Sequence, residues 1–257
     1  MVKNTLQKIL RLINISLFKT DLPNNISIYF HETGLKEIND IEKIILFFKE
    51  REYIFLTIDE FNKRIDNNYK TVAFTFDDGF SNWIDTIPIF NKYHVKATFY
   101  LNSIQFTTEP KEKFLSDIKC NDENLLITID QLEAIKANGH EIGAHTHSHK
   151  TLNNIDEEDF KHEVSENLKI LKLNNIEPKN FAVPFGMRRY IKNYQLDYLL
   201  GIFDSVAFGE PGMLYEQKKG LIQRYPWKIE KSFKYNINNI STNTSLFNNL
   251  TKRSGLG

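Results

Sequence analysis

The run Val72 to Phe76 is almost continuously apolar and stops at Asp77-Asp78-Gly79. A strand without polar alternation must be buried on both faces, which happens in parallel sheets covered by helices. The flanking pattern agrees. Residues 82 to 93 read as a helix and Ala97 to Leu101 as the next buried strand, so the β-α-β alternation predicts an α/β fold with a parallel sheet. Two carboxylates are thereby delivered to the C-terminal end of a buried strand.

The same alternation runs on in both directions. Ile26 to Phe30, after Pro23-Asn24-Asn25, reads as a strand with His31 at its end. Ile41, Ile44, Ile45 and Phe48 mark a helical face; Tyr53 to Leu56 reads as a short strand, and Thr57 with Glu60 as a capping box. Beyond a less regular polar stretch from Asn102 to Leu125, Thr128 and Gln131 cap a helix that stops at Gly139. The strand Glu141 to Ala144 then presents His145-Thr146-His147-Ser148-His149, and Phe160, Val164, Leu168 and Leu171 mark the next helix. Phe181 to Val183 is a strand closed by Pro184-Phe185-Gly186, followed by a helix near Tyr190 to Leu200 and strands near Ile202 to Phe208 and Leu221 to Tyr225. From Asn236 onward the clustered Asn, Ser and Thr predict loose structure. The expected organisation is an N-terminal helix over 1–22, one domain over 23–235 and a loose tail over 236–257.

A chain of 257 residues suits one large α/β domain, with two small domains as the alternative, and 20 Phe with 11 Tyr can fill a sizeable core. Lys plus Arg equals Asp plus Glu at 33 each, so no overall field draws the chain to nucleic acid. The single cysteine, Cys120, can form neither an internal disulfide nor a zinc-finger spacing, which suits a reducing compartment or says nothing. Leu6, Ile9, Leu10, Ile13 and Leu17 form an amphipathic N-terminal helix with Lys3, Lys8 and Arg11 elsewhere. It could lie peripherally on a membrane or dock on its own domain. It does not read as a signal peptide, and no apolar stretch reaches the roughly 20 residues that span a bilayer.

His31, Asp77, Asp78, His145 and Pro184-Phe185 all fall at strand C-termini, where parallel barrels and doubly wound sheets build their active sites. Adjacent carboxylates there are costly unless a cation or donors compensate them. His145 and His149, four apart, can face one centre if the segment turns helically, and imidazole with carboxylate is a ligand set for zinc and similar divalent ions. Two His and one Asp leave positions for water and substrate, as in a catalytic site. Either fragment alone reads equally well as a polar turn. In the same helical turn His147 points away, which makes it exposed or a support rather than a ligand.

The segments TFDDG (Thr75 to Gly79), EIGAHTHSH (Glu141 to His149) and FAVPFG (Phe181 to Gly186) resemble, in order, three signature motifs of the polysaccharide deacetylases, the NodB-homology carbohydrate esterases. ATFYL resembles theirs as well, and the similarity extends from about Ile26 to Tyr225. The resemblance implies a distorted (β/α) barrel and a metal-dependent hydrolase that removes an acetyl group from an N-acetylated sugar of a glycan or glycan precursor. It also implies Asp77 as catalytic base, Asp78, His145 and His149 as ligands of one divalent metal ion, foremost Zn2+, and the Phe185 backbone N–H as oxyanion donor.

Two departures qualify this. Many relatives carry Arg at the second position of the third motif, where this chain has Ala182; Arg224, on a late strand, is the candidate partner of Asp77, its other reading being a surface arginine on an edge strand. The family's late Leu-x-His histidine, a general acid, has no counterpart, since no histidine follows His162. His31 is the candidate acid, as in the biosynthetic poly-N-acetylglucosamine-type branch, its other reading being a hydrogen-bonded structural histidine. His94, His140 and His162 read as solvated or supporting residues, and Trp83 and Trp227 as sugar-stacking faces or core. The expected substrate is a carbohydrate, and the expected location is the cytoplasm or the inner membrane face. The competing reading is a catalytically impaired protein of this fold that binds glycan or scaffolds a biosynthetic complex.

Overall fold

Buried side chains on most strands sort into two sets, and the two sets define the architecture. In the computed structural model, which describes residues 22–65, 69–214 and 217–243, the first half runs β1 (Asn25–Phe30), α1 (Leu35–Lys49), β2 (Ile54–Phe55), α2 (Ile58–Arg64), β3 (Thr71–Phe76), α3 (Ile87–Tyr93), β4 (Thr98–Leu101) and α4 (Glu112–Asp117). The second half runs α5 (Ile129–Ala137), β5 (Glu141–Ala144), α6 (Glu157–Leu173), β6 (Asn180–Ala182), α7 (Asn193–Leu200), β7 (Ser205–Phe208), β8 (Leu221–Gln223), β9 (Tyr225–Pro226) and α8 (Phe233–Asn243). One set of strand side chains packs outward beneath the helices: Ile26, Ile28 and Phe30; Val72, Phe74 and Phe76; Phe99 and Leu101; Val206 and Phe208. The other, smaller set contains Ala73, Tyr100, Ala182, Ala207 and Ile222, packed against Leu56, Ile58, Phe61 and Ile65 of α2 and its flanks. The alternation of period 2 that the apolar runs conceal therefore survives, with bulky residues outside and alanines inside except where Tyr100 and Ile222 fill the interior.

The strands pair in parallel in the order β8-β7-β6-β5-β4-β3-β1-β9, with β2 on β3. β2 takes the start of β3 and β4 its end, since Ile54 pairs with Thr71 whereas Phe76 pairs with Phe99. The two ends of this order, β8 and β9, are consecutive in the chain and meet at Arg224, whose N–H donates to the Phe208 carbonyl at 2.7 Å. The result is the nearly closed (β/α) barrel of a single domain that the motifs implied.

Several boundaries differ from expectation for local reasons. The helix expected over 82–93 begins as a 3₁₀ turn (Ser81–Thr86), and α3 starts afresh where Pro88, which cannot sit in a helix interior, occupies its first turn. The polar stretch after β4 contains α4, and the late strand divides at Arg224. Residues 236–243, expected to be loose, lie in α8; Ile240 is buried, and Asn236 exchanges hydrogen bonds with Lys228, accepting from its N–H at 3.0 Å and donating to its carbonyl at 2.9 Å. Clustered Asn there caps a turn rather than melting a helix. The predicted amphipathic helix and residues 244–257 lie outside the described residues. No described helix is long and apolar enough to cross a membrane.

Candidate active site

Sharp turns after three strands bring the chemistry together. After β3 the ladder continues one residue further, the Asp77 N–H donating to Phe30 O at 3.0 Å, and the chain then turns through Asp78 at φ 83° and Gly79 at φ 83°. Thr146, His149 and Phe185 also adopt the left-handed region, at φ 66°, 61° and 60°. Such backbone costs on the order of 1 kcal/mol or more per non-glycine residue and persists only where surrounding contacts dictate it. Asp78, His149 and Phe185 share one cleft of about 420 Å³ with Asp77, His145, Arg224 and His31. A second recess, of about 510 Å³ around His140 and Glu141, opens at the other end of the strands and holds none of them.

The metal-ligand geometry can be read from hydrogen bonding. His145 Nδ1 lies 2.8 Å from the Ala182 carbonyl, which can only accept, so Nδ1 carries the proton and Nε2 presents a lone pair in the neutral ring. That Nε2 is 3.3 Å from Asp78 Oδ1, and His149 Nε2 is 3.4 Å from the same oxygen. Burial pushes the His149 imidazole down to about 4, so that ring is neutral near pH 7. Burial alone would raise the Asp78 carboxyl, but the His149, His145 and His31 imidazoles hold it well below the usual carboxylate range. A buried carboxylate oxygen facing a neutral imidazole lone pair is unfavourable unless a cation lies between them. Asp78, His145 and His149 offer three such atoms within 4.8 Å of one another, and this donor set fits a divalent ion bound with open positions. The Ala182 carbonyl behind His145 is the kind of support that orients a metal-binding imidazole.

Beside this triad Asp77 receives a forked pair: Arg224 Nη1 donates to Oδ1 at 2.6 Å and Nη2 to Oδ2 at 2.8 Å, with a further bond from Nη1 to Thr75 Oγ1 at 3.0 Å. Arg224 is fully buried at the barrel seam, its guanidinium 4.9 Å from the ring centroid of Tyr29 and 5.2 Å from that of Tyr100. Burial pushes the Tyr29 hydroxyl up to about 12, so that ring stays neutral and keeps its electron-rich face on the cation. Ala182, where the motif resemblance implies an arginine, lies in the same interior cluster as Tyr100. The guanidinium that meets Asp77 thus comes from the β8–β9 junction rather than from β6.

The other sequence candidates fall into place around these. His31 is exposed at the cleft mouth, its Nε2 3.9 Å from Asp78 Oδ2, with its ring edge-on to Tyr29. Phe185 lines the cleft with its ring 4.5 Å from that of His149. The segment joining the two triad histidines is not a helical turn; it is a loop with two left-handed residues. His147 accordingly is buried rather than exposed, bonded through Nδ1 to Ser103 Oγ at 2.9 Å and facing Glu109 at 3.2 Å. His140 accepts from the Ala97 N–H at 3.1 Å, while His94 and His162 are exposed. Both tryptophans are core: Trp83 donates to His31 O at 2.8 Å and Trp227 to Asp40 at 3.2 Å. Tyr29 and Tyr100 were missed, although the alternation that puts Ser27, Tyr29 and His31 on one strand face, and Thr98 with Tyr100 on another, could have found them.

The model of the polysaccharide deacetylase family matches residues 64–197. A peptidoglycan-N-acetylglucosamine deacetylase of Bacillus cereus is 32% identical over 123 residues, 46% of this chain and 38% of that protein. The chain thus spans well under half the length of that relative. Among solved structures, the Streptococcus pyogenes deacetylase PplD in complex with acetate superposes with a TM-score of 0.66 at 17% identity, covering 86% of this chain and 98% of that one. IcaB from Ammonifex degensii gives 0.61 at 16% identity, covering 86% and 97%. These two likenesses carry the fold.

Proposed function

Because the chain belongs to the polysaccharide deacetylase family, we propose that it is a metal-dependent hydrolase that removes the acetyl group from an N-acetylated sugar of a glycan or glycan precursor. The observation that carries this reading is the forked Arg224–Asp77 pair beside the Asp78, His145 and His149 donor set. A binding module has no need of a carboxylate clamped in place next to a metal site. The pair also supplies from another strand the arginine that the third motif lacks, which removes one of the two grounds for a catalytically impaired protein. The B. cereus relative, named for acting on N-acetylglucosamine in peptidoglycan, supports an N-acetylated amino sugar as substrate.

Asp78, His145 and His149 would hold the ion, foremost Zn2+. When bound, a divalent ion polarises the acetyl carbonyl and lowers the pKa of water. Asp77 takes the proton from the attacking water, its carboxylate held in one plane by Arg224. The Phe185 N–H donates to the oxyanion as the carbonyl becomes tetrahedral. His31, exposed at the cleft mouth where the sugar would lie, donates a proton to the departing amine, which leaves as the free amino sugar while acetate remains. The test is acetate release from N-acetylated oligosaccharides by the zinc-loaded chain and by Asp77→Asn. We expect release by the wild type and a loss of about 10²–10⁴-fold in the variant. Equal rates would remove Asp77 as the base.

A further inference from the structure

The loop between His145 and His149 is short, strained and buried, and something outside it must dictate its shape. Thr146 is entirely buried at φ 66° and His149 nearly so at φ 61°. Within the loop itself there is one internal brace, the His149 N–H donating to Thr146 Oγ1 at 3.0 Å. Neighbours take up most of its other backbone groups. Asn167 donates to Thr146 O at 2.6 Å and to Leu101 O at 3.0 Å, and Asn102 donates to His145 O. The Ile104 N–H donates to His147 O at 3.0 Å.

Glu163 makes the most of these contacts. It sits on α6 four residues before Asn167, so both side chains project from one helix face toward the loop. One Glu163 carboxylate oxygen accepts from the Ser148 N–H at 2.7 Å and the other from Ser148 Oγ at 2.5 Å, while its backbone carbonyl accepts from the His147 N–H at 2.9 Å. Its relative exposure is 1%, and Lys150, half in solvent, lies 3.3 Å away as the sole counter-charge among the described residues. A buried carboxylate is among the costliest groups a core can hold, and a neutral acceptor would suffice to tie down a helix. Charged acceptors make shorter and stiffer bonds, and this one grips both hydrogen-bond donors of the residue immediately before His149.

We infer that Glu163 is a positioning residue for the metal site: through Ser148 it holds His149 in its left-handed conformation, with Nε2 aimed at the point shared by Asp78 and His145. The inference rests on the reading of those three residues as metal ligands. Its consequence is a difference in metal affinity with little change in the fold of the metal-free chain, because Glu163→Gln keeps the length of the side chain and one carbonyl acceptor for Ser148. A residue that merely anchors α6 would do the reverse, lowering the melting temperature of the metal-free chain and leaving affinity alone.

The experiment is titration of the chelator-stripped full chain with Co2+, following visible absorption, for wild type, Glu163→Gln, Ser148→Ala and Asp78→Ala, alongside metal-free melting curves. We expect saturable one-ion binding in the wild type and none in Asp78→Ala. Glu163→Gln should bind about 10–100-fold more weakly, the usual consequence of removing a support behind a ligand. Ser148→Ala, which keeps the backbone N–H, should lose less and stands in if Glu163→Gln fails to fold. Wild-type affinity in Glu163→Gln, or in Ser148→Ala where that variant stands in, overturns the inference with the ligand set intact. A wild-type chain that takes up no Co2+ overturns the ligand set itself, and the inference with it.

Discussion

At the scale of single residues, the account turns on Asp77 and Arg224, two buried opposite charges joined by two hydrogen bonds of 2.6 and 2.8 Å. Removing one member of such a pair strands the other in a low-dielectric site, which typically costs about 3–5 kcal/mol. Arg224→Met should therefore lower the stability measured by chemical denaturation by about 3 kcal/mol, at the lower end because Asp77 also faces the open cleft. Acetate release should fall at least ~10²-fold as the base loses its orientation. A variant of unchanged stability would place Arg224 outside the role given to it. The sequence already pointed to Asp77, Asp78, His145 and His149, because segments that read singly as polar turns converge at strand C-termini and stand in motifs that resemble one family's, in order. It left Arg224 undecided between surface and site, because an arginine at position 224 looks the same whether its strand is an exposed edge or the seam of a closed barrel. Only the return of β9 to β1, which puts Tyr225 beside Ile28, decides that.

At the scale of elements, alternation within the strands links packing to the site. Gly143 of β5 is the clearest case: a Cβ there would lie 2.4 Å from the Tyr100 ring and 2.5 Å from Asn180 Oδ1. Neither neighbour is the free end of a flexible chain, and Tyr100 is one of the two rings flanking the Arg224 guanidinium. Gly143→Ala should cost about 1–3 kcal/mol by overpacking and should reduce activity as well, because displacing the ring loosens the arginine behind the base. Melting temperature and acetate release should fall together; a melting temperature equal to wild type would contradict this packing. The helices and strands themselves were largely legible, since capping boxes at Thr57 and Thr128 and the apolar runs at Val72 and Ala97 are local signals. The shape of the His145 to His149 loop was not, because it is dictated by Glu163 and Asn167, 15 and 21 residues along the chain from the groups they hold. Asn-rich α8 escaped for a similar reason, its apolar face being covered by the rest of the domain.

At the scale of the molecule, a parallel barrel gathers the C-terminal ends of its strands at one rim, and that rim carries His31, Asp77, Asp78, His145, Phe185 and Arg224. Closure matters as much as gathering. β8 and β9 at the two ends of the strand order are adjacent in sequence, so the residue between them lies at the seam, and that residue is the arginine that pairs with Asp77. An arginine absent from the third motif is thus supplied from a different strand. The most direct measurement of the central claim is acetate release from an N-acetylated oligosaccharide by one preparation of the full chain as purified, after chelation, and after Zn2+ is returned. Release should stop on chelation and recover with one equivalent of metal. Release that persists unchanged in the chelated protein would contradict that claim.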